Sequence, residues 1–244
     1  MPTTFVIGDV HGGLRALEQV LNIVPVFEGD LLIFLGDYVD GWSQSAQTID
    51  YLIQLSTTHN CVFIKGNHDV WCEKWLLGEP PDPNWMAHNG GLTIKSYLNY
   101  SKTQQQEHAA FFQQMKLYYV DDKNRLFVHA GFTSMHGPEK ERDQSNFYWD
   151  RSLWEVALAT GNCVPEQSKY YPKRLLLYDE IFIGHTPTIN YDTDKPIHAS
   201  NLWNIDTGAA FYGKLTVMDV NSKIYWQSDT VRDLYPGETG RNVR

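Results

Sequence analysis

Five short apolar runs along the chain each end beside glycine and a polar side chain. They cover residues 5–7, 31–35, 62–65, 126–128 and 181–183, and Asp, Asn or His follows each of them. Such a run is typical of a buried strand that meets a tight turn. In sheets built from βα units, ligands bind in the crevice at the carboxyl ends of the strands. The pattern therefore predicts one shared site at the ends of five strands.

Helical spacing separates the first three predicted strands. Apolar residues recur three and four positions apart in both intervals: Leu14, Leu17, Val20 and Leu21 in the first, and Ile49, Leu52 and Ile53 in the second. We therefore predict an α/β fold that opens as β-α-β-α-β around a parallel or mixed sheet.

The periodicity changes beyond the third predicted strand. Residues 70–122 contain tryptophans, a proline-rich break and two helical patterns, which predicts a helical insertion over the edge of the site. A second insertion is expected at residues 133–178. Strand patterns return at 202–205, 211–220 and 224–226, whereas residues 228–244 are polar and contain Pro236 and Gly237. The pattern of that last stretch does not favour an ordered structure.

Composition places limits on this picture. A chain of 244 residues with 42% hydrophobic content can bury a full core, so we predict one domain over residues 1–244 with two insertions. The formal net charge of -9 argues against a nucleic-acid partner, because proteins that bind the phosphate backbone present a basic face. An anionic substrate stays open, since bound cations can dominate the field inside a cleft.

The sequence shows neither a signal-peptide pattern nor an apolar run long enough to span a bilayer, so we expect a soluble cytoplasmic protein without a membrane partner. Its three cysteines, Cys61, Cys72 and Cys163, contain no CxxC pair. We expect reduced thiols and no structural zinc cluster.

The side chains at the strand ends indicate metal chemistry. Carboxylate and amide oxygens with imidazole nitrogens, without thiolates, suit manganese, iron(II) or zinc in a catalytic site. A carboxylate between two cations can bridge them, and such a two-metal site activates water and neutralises a phosphoryl group. The residue types alone therefore favour phosphoester hydrolysis.

Five motifs carry a resemblance to a known family. They read GDVHG at residues 8–12, GDYVDG at 36–41, GNHD at 66–69, VHAG at 128–131 and GHTP at 184–187. In this order they resemble the calcineurin-like metallophosphoesterases, and most closely the bacterial and phage serine/threonine phosphoprotein phosphatases. The resemblance implies an α/β fold of four layers, in which a central β-sandwich is flanked by helices and the metal centre lies at the strand ends.

The resemblance also implies a cofactor of two divalent metal ions, with Mn²⁺ expected and Fe²⁺ or Zn²⁺ as alternatives. It implies these ligands: Asp9 and His11 on the first ion, Asp37 on both ions, and Asn67, His129 and His185 on the second. A metal-activated hydroxide would attack phosphorus in line, so no covalent phosphoenzyme is expected.

Further roles follow from the same resemblance. His68 is expected to protonate the departing alkoxide, and Asp40 to orient His68. Asn67 and Arg151 are expected to contact the substrate phosphate, Arg151 because the segment YWDR at 148–151 is similar to a phage-phosphatase segment. The alternative for Arg151 is a surface arginine at the start of a helix near Ser152.

One position departs from the family pattern. The usual motif is GDxxDRG, whose arginine grips phosphate, but Gly41 occupies that position here and Trp42 follows it. The change removes a strong, charge-assisted contact to the substrate oxygens. Trp42 is a candidate for the lining of a pocket that takes a different leaving group.

Most other polar and aromatic residues have simpler interpretations. We assign Asp206 a structural role in a turn, and Asp69 a role behind the metal ligands or as a helix cap. The remaining histidines are expected to be solvated or hydrogen-bonded, namely His59, His88, His108, His136 and His198. The tryptophans of the insertions are expected to pack there, although the rim of a cleft is an alternative for them.

Three functions are compatible with these residues. The first is a metal-dependent phosphatase acting on phosphoserine or phosphothreonine in a phosphorylated protein, or on a small phosphate ester. The second is a symmetrical dinucleoside tetraphosphate hydrolase. The third is a catalytically silent metal-binding scaffold, which Gly41 suggests but which the pair of His68 and Asp40 disfavours, because a scaffold needs no leaving-group acid.

Overall fold

The computed structural model describes residues 2–161 and 163–242. Its strands are β1 (Thr4–Ile7), β2 (Leu31–Phe34), β3 (Asn60–Phe63), β4 (Tyr118–Val120), β5 (Arg125–Val128), β6 (Glu180–Ile183), β7 (Ile197–Ala199), β8 (Leu202–Asn204), β9 (Thr216–Asp219) and β10 (Tyr225–Gln227). Its α-helices are α1 (Leu14–Ile23), α2 (Ser45–Ser56), α3 (Asn67–Leu76), α4 (Pro83–Ala87), α5 (Gly90–Ser96), α6 (Lys102–Gln114), α7 (Asn146–Trp149), α8 (Ser152–Thr160) and α9 (Val231–Leu234).

The strands of the described residues form two mixed sheets. The first has the order β10-β9-β1-β2-β3, with β1, β2 and β3 parallel and β9 antiparallel to β1. The second has the order β4-β5-β6-β8-β7, with β5, β6 and β8 parallel. The three parallel strands of the first sheet are those that the sequence predicts at the start of the chain.

The two sheets pack face to face with helices outside them. Because side chains alternate along a strand, Phe5 and Ile7 of β1 face α1 and α2, whereas Val6 faces the second sheet and packs in one cluster with Phe127 and Phe182. The aromatic rings of Phe127 and Phe182 stack at 5.0 Å. A helix, sheet, sheet, helix arrangement results, and the expected four-layer α/β fold is confirmed.

Most of the segment 70–122 is helical, as the sequence indicates. The helix α6 begins with a capping box, in which Ser101 accepts from the backbone N–H of Gln104 and Gln104 Oε1 accepts from Ser101 N. The short strand β4 at the end of this segment was not predicted, and neither was β7. Both are three residues long and lie at sheet edges, where the sequence pattern is weakest.

Residues 228–242, here called the C-terminal segment, are ordered against the rest of the protein. They contain α9, and Tyr235 is buried: its hydroxyl accepts a hydrogen bond from Arg15 N at 3.0 Å and contacts Gln44 Oε1 at 2.6 Å. The expectation of disorder was therefore wrong for these residues; residues 243 and 244 lie outside the described part. Among the described residues, no helix is long and apolar enough to cross a membrane.

Candidate metal centre

The turns after β1 and β2 bring His11 and Asp37 together. Both residues adopt a left-handed backbone conformation, with φ near 52°. The Nδ1 atom of His11 lies 2.8 Å from the carbonyl oxygen of Asp40, which fixes the ring with Nε2 3.6 Å from Asp37 Oδ2. Such an outer hydrogen bond is the usual way in which a ligating imidazole is oriented.

Asp9 follows β1 and reaches the turn after β6. Its Oδ2 atom accepts a hydrogen bond from the backbone N–H of His185 at 3.1 Å, whereas Oδ1 has no hydrogen-bond partner among the described residues. A side chain at Gly184 would overlap Asp9 Oδ1, so glycine is required for this close approach. The glycine of the GHTP motif thus lies against the carboxylate of Asp9.

Asp69 holds the turn that carries Asp37. Its carboxylate accepts hydrogen bonds from the backbone N–H groups of Asp37 at 2.8 Å, Tyr38 at 2.9 Å and Gly66 at 2.8 Å. Asp37 Oδ1 accepts in turn from the backbone N–H of His68 at 3.0 Å. The expected supporting role of Asp69 agrees with these bonds.

Asn67, His129 and His185 lie on the other side of Asp37. The Oδ1 atom of Asn67 is 3.2 Å from His129 Nε2 and 2.9 Å from His185 Nδ1. His129 Nε2 is also 3.4 Å from Asp37 Oδ2, and its Nδ1 atom contacts the carbonyl oxygen of Leu35 at 2.9 Å. Two imidazoles, an amide oxygen and the carboxylate of Asp37 therefore meet at one point.

These side chains form what is called here the strand-end cluster: Asp9, His11, Asp37, Asn67, His129 and His185. Two groups of donor atoms close enough to hold an ion lie in and beside it, one made by His11, Asp37 and His68 and the other by Asp37, His129 and His185. Asp37 belongs to both groups. In the described residues, Asp9 Oδ1 and His185 Nε2 are buried without a hydrogen-bond partner, as atoms reserved for a cation would be. The donor set fits two divalent metal ions.

The charges of the cluster also favour cations. Burial, together with the nearby carboxylates of Asp206 and Asp37, raises the pKa of Asp9 well above its usual value. Burial acts in the same direction on Asp37, but the imidazoles of His129, His68 and His11 outweigh it and hold the pKa of Asp37 well below its usual value. Asp37 is thus the carboxylate most firmly ionised here, which suits an oxygen ligand shared by two cations.

His68 and Asp40 form a buried pair beside the cluster. His68 Nδ1 lies 2.6 Å from Asp40 Oδ2, which also accepts from Trp85 Nε1 at 2.6 Å, and Asp40 Oδ1 accepts from Thr93 Oγ1 at 2.5 Å. Burial raises the pKa of Asp40 to about 7 and lowers the pKa of His68 to about 3. The short contact between Nδ1 and Oδ2 places the two groups to share one proton.

A cavity of about 190 Å³ opens over the cluster. It is lined by most of the residues that the sequence singles out, namely His11, Asp37, Asn67, His68, His185 and Arg151. Asp9, Asp40 and His129 lie behind this lining and are buried. All predicted site residues therefore surround one cavity, although larger cavities exist elsewhere on the surface.

Several residues of the cavity were not predicted. His88 and Trp149 line its mouth, where Trp71 lies between them, with ring centroids 5.8 Å from His88 and 5.2 Å from Trp149. Trp149 precedes the segment Asp150-Arg151, so its position could have been inferred from its neighbour. Arg241 of the C-terminal segment also lines the cavity. No motif marks Arg241 in the sequence.

Two interpretations of single residues change with the structure. Trp42 is fully buried and its Nε1 donates to the carbonyl oxygen of Ala209 at 2.7 Å, so the expectation that it lines a pocket was wrong. Asp206 accepts from the backbone N–H of Gly208 at 3.0 Å, as a turn residue would. It also lines the cavity, however, and burial raises its pKa to about 6.

Comparison with known proteins identifies the class of this fold and site. The family model for calcineurin-like phosphoesterases matches residues 2–202. The chain therefore belongs to the calcineurin-like phosphoesterase family, and the expected resemblance and the expected phosphoesterase enzyme are confirmed. Members of this family work with divalent metal ions, in agreement with the donor set described above.

Individual relatives extend over most of the chain. It is similar to the asymmetrical bis(5'-nucleosyl)-tetraphosphatase PrpE of Anoxybacillus flavithermus, with 27% identity over 231 residues, which is 87% of this chain and 88% of that protein. The protein of the same name from Bacillus cereus is 26% identical over 226 residues, with coverage of 86% and 87%.

Solved structures share the fold at lower identity. A candidate diadenosine tetraphosphatase superimposes with a TM-score of 0.63 at 14% identity, covering 93% of this chain and 95% of that one. A Saccharomyces cerevisiae serine/threonine phosphatase with similarity to human PP5 gives 0.62 at 14% identity, with coverage of 94% and 80%. Neighbours that are named for different activities therefore share this architecture.

Proposed function

We propose that this protein hydrolyses phosphoesters with water. A dinucleoside tetraphosphate is the first candidate for its substrate. The observation that carries the hydrolysis is the position of Asp37, which belongs to two groups of metal-binding atoms directly beside the pair of His68 and Asp40. The tetraphosphate is favoured over the phosphoprotein because the relatives that match 86–87% of the chain carry tetraphosphatase names.

In this proposal the strand-end cluster binds two divalent ions, with manganese as the first candidate and iron(II) or zinc as the alternatives. Asp9 and His11 would hold one ion, Asn67, His129 and His185 the other, and Asp37 both. Bound divalent ions supply Lewis acidity, which lowers the pKa of water and neutralises phosphoryl oxygens. Three contacts would keep the metal ligands in position. The backbone of Gly184 lies against Asp9, and the Nδ1 atoms of His11 and His129 each contact a backbone carbonyl oxygen.

His68 is proposed as the leaving-group acid. Because its Nδ1 contacts Asp40, its Nε2 is left for the substrate, and His68 lines the cavity. Asp40 is held by Thr93 and Trp85, so that it orients the imidazole without turning toward the substrate itself. The pair would give its proton to the oxygen that departs from phosphorus.

The mouth of the cavity supports a nucleotide substrate. The cavity itself, about 190 Å³, has room for a phosphoryl group, whereas a whole dinucleoside tetraphosphate is larger and must extend beyond it. Trp149 is 39% exposed at the mouth and makes a T-shaped contact with Trp71, so part of its indole surface is available to a base. Stacking of a base on an aromatic ring contributes about 1–3 kcal/mol. Arg151 lines the same cavity and is proposed to bind phosphate oxygens, as is Asn67.

A phosphorylated protein or a small phosphomonoester is the second candidate substrate. A site with one small cavity at an open mouth also admits a phosphorylated side chain, and the motif set resembles that of phosphoprotein phosphatases. The symmetrical mode of tetraphosphate cleavage, which the sequence suggests as an alternative, is distinguished from the asymmetrical mode by the products.

The test is a substrate panel with protein loaded with manganese. We would measure kcat/KM for diadenosine tetraphosphate, a phosphoserine peptide and p-nitrophenyl phosphate, and count bound metal per chain. The proposal expects two ions per chain and the largest kcat/KM on the tetraphosphate; AMP with ATP would indicate asymmetrical cleavage, and two ADP symmetrical cleavage. No hydrolysis of any of the three by metal-replete protein would leave the silent scaffold as the better account.

A further inference from the structure

The loop that lacks the family arginine cannot accept one. Gly41 has φ near +124°, a conformation that residues with a side chain rarely adopt. A Cβ atom at this position would lie 2.9 Å from the carbonyl oxygen of His11 and 3.1 Å from its Cβ atom. Since His11 belongs to the strand-end cluster, an arginine at position 41 would displace part of the site. Any compensating cation must therefore come from another part of the chain.

The residues that follow Gly41 bind the C-terminal segment instead. The ring of Trp42 stacks on Tyr235, with centroids 5.2 Å apart and planes at 23°. Ser43 donates to both carboxylate oxygens of Glu238, from its backbone N at 3.0 Å and from its Oγ at 2.7 Å. The loop thus lacks the arginine of the family pattern but binds the C-terminal segment through Trp42 and Ser43.

Gly240 brings the segment close to the site. A Cβ atom there would lie 2.8 Å from the Trp42 ring and 2.6 Å from the carbonyl oxygen of Ala210, so only glycine fits. Asn89 Nδ2 donates to the Gly240 carbonyl oxygen at 2.7 Å. These contacts fix the backbone immediately before Arg241.

Arg241 then enters the cavity. Its backbone N–H donates to the Ala210 carbonyl oxygen at 2.8 Å, and its guanidinium lies over the Phe211 ring, 5.3 Å from the centroid. The side chain lines the cavity together with His11, His68 and Arg151. Within the described part of the chain, no carboxylate forms a salt bridge with it.

We propose that the guanidinium of Arg241 binds the substrate's phosphate oxygens and so supplies the contact that Gly41 leaves out. The assignment rests on the proposed hydrolysis of phosphoesters at this site. A planar guanidinium presents paired N–H donors that match two phosphate oxygens. Arg241 and Arg151 together then give the cavity two phosphate-binding cations, one from each of two separate parts of the chain.

The test compares Arg241→Ala, Arg241→Lys and a control, Arg232→Ala, with the unchanged protein. Arg232 is exposed in the same segment and does not line the cavity, so its removal makes the same change in charge. We would measure kcat and KM on the ester that the unchanged protein hydrolyses best. We would also measure the dissociation constant of inorganic phosphate, by calorimetry on metal-loaded protein, together with metal content and melting temperature.

We expect Arg241→Ala to weaken phosphate binding and to raise KM by roughly 10- to 100-fold, the range for a lost charge-assisted contact, with metal content unchanged. Arg241→Lys should recover part of the loss, because a lysine makes a single charged contact. Arg232→Ala should stay within about twofold of the unchanged protein. If the alanine variant is unstable, the lysine variant decides: the proposal requires Arg241→Lys to bind phosphate more weakly than both the unchanged protein and Arg232→Ala, and an unchanged affinity would overturn it.

Unchanged phosphate affinity in folded Arg241→Ala, or equal losses in Arg241→Ala and Arg232→Ala, would overturn the assignment. This outcome is separate from failure of the proposed function. If the unchanged protein hydrolyses no ester, the proposed function is wrong, and the phosphate titration still decides whether Arg241 binds phosphate.

Discussion

The strand-end cluster and the C-terminal segment reach the same cavity by different means. The cluster consists of buried side chains placed by the turns after parallel strands, and it is anchored by hydrogen bonds from the backbone of those turns. The C-terminal segment is partly exposed and is attached by the buried side chains of Val231 and Tyr235, by the ring stack on Trp42 and by polar contacts such as that of Glu238 with Ser43. Under the two proposals made above, the buried cluster would hold the metal ions, and the C-terminal segment at the periphery would contribute to holding the substrate.

The largest effect is expected in the cluster, from Asp37→Asn. An amide cannot carry the charge that two cations share, so metal content should fall and kcat/KM should drop by about a thousandfold or more, because bound metal contributes several kcal/mol to the transition state. The measurements are metal per chain and turnover of p-nitrophenyl phosphate.

Asp30→Asn is a matched control for that change. Asp30 is also a buried carboxylate that accepts backbone hydrogen bonds, from Thr3 N at 2.6 Å and Phe27 N at 2.8 Å, but it lies away from the cavity. We expect reduced stability with metal retained. Near-normal turnover by Asp37→Asn with two ions bound would contradict the proposed shared ligand.

A smaller effect is expected from His68→Asn, which should leave metal content largely intact. Loss of a positioned acid lowers rates by about 100- to 10,000-fold when the leaving group is a poor one. Alkyl phosphates should therefore suffer more than p-nitrophenyl phosphate, whose leaving group needs little protonation. The ratio of kcat values for the two esters is the measurement. Equal losses on both esters would speak against the acid role.

In the C-terminal segment we expect an effect on substrate binding rather than on metal. Glu238→Ala removes the two hydrogen bonds from Ser43, which should reduce the free energy of unfolding by about 1 kcal/mol or less and raise KM several-fold. Asp233→Ala is the control, since Asp233 is exposed in the same segment and its side chain makes no hydrogen bond within residues 2–161 and 163–242. Loss of metal in Glu238→Ala would contradict the assignment of metal binding to the strand-end cluster and of substrate binding to the C-terminal segment.

The smallest effect is expected at a carboxylate outside both regions. Glu141 accepts hydrogen bonds from Thr133 N and Ser134 N, and although burial opposes the change, these bonds lower its pKa from the ordinary 4.5 to about 2. Because the folded-state pKa is the lower one, the stabilisation is present above pH 4.5 and is lost as the pH falls toward 2.

Glu141→Gln should therefore lower the melting temperature slightly at pH 7 and not at about pH 2, with activity unchanged at neutral pH. Glu141 is only half-buried, so solvent screens its charge and the difference is expected to be small. A difference in melting temperature that grows as the pH falls would contradict this account.

The strand-end cluster could be predicted from the sequence because its signal is local. Asp37, His129 and His185 each follow an apolar run beside glycine, and parallel strands place such turns at one edge. The same reasoning could not find Arg241, whose position depends on a ring stack between Trp42 and Tyr235, residues 193 positions apart in the chain. Nor could it tell that Trp42 turns inward, because an indole suits a core and a pocket equally well. Contacts between distant segments leave no periodic pattern in a single sequence.

The pairing of β1 with β9 has a consequence for how the polypeptide reaches this state. Phe5 lies opposite Asp219, so one edge of β1 is covered by β9, a strand 214 positions further along the chain. Closing so large a loop is entropically costly, and proteins dominated by such long-range pairings fold slowly. We therefore expect the pairing of β9 with β1 to come late in folding, so that this edge of β1 stays open to other strands until β9 reaches it.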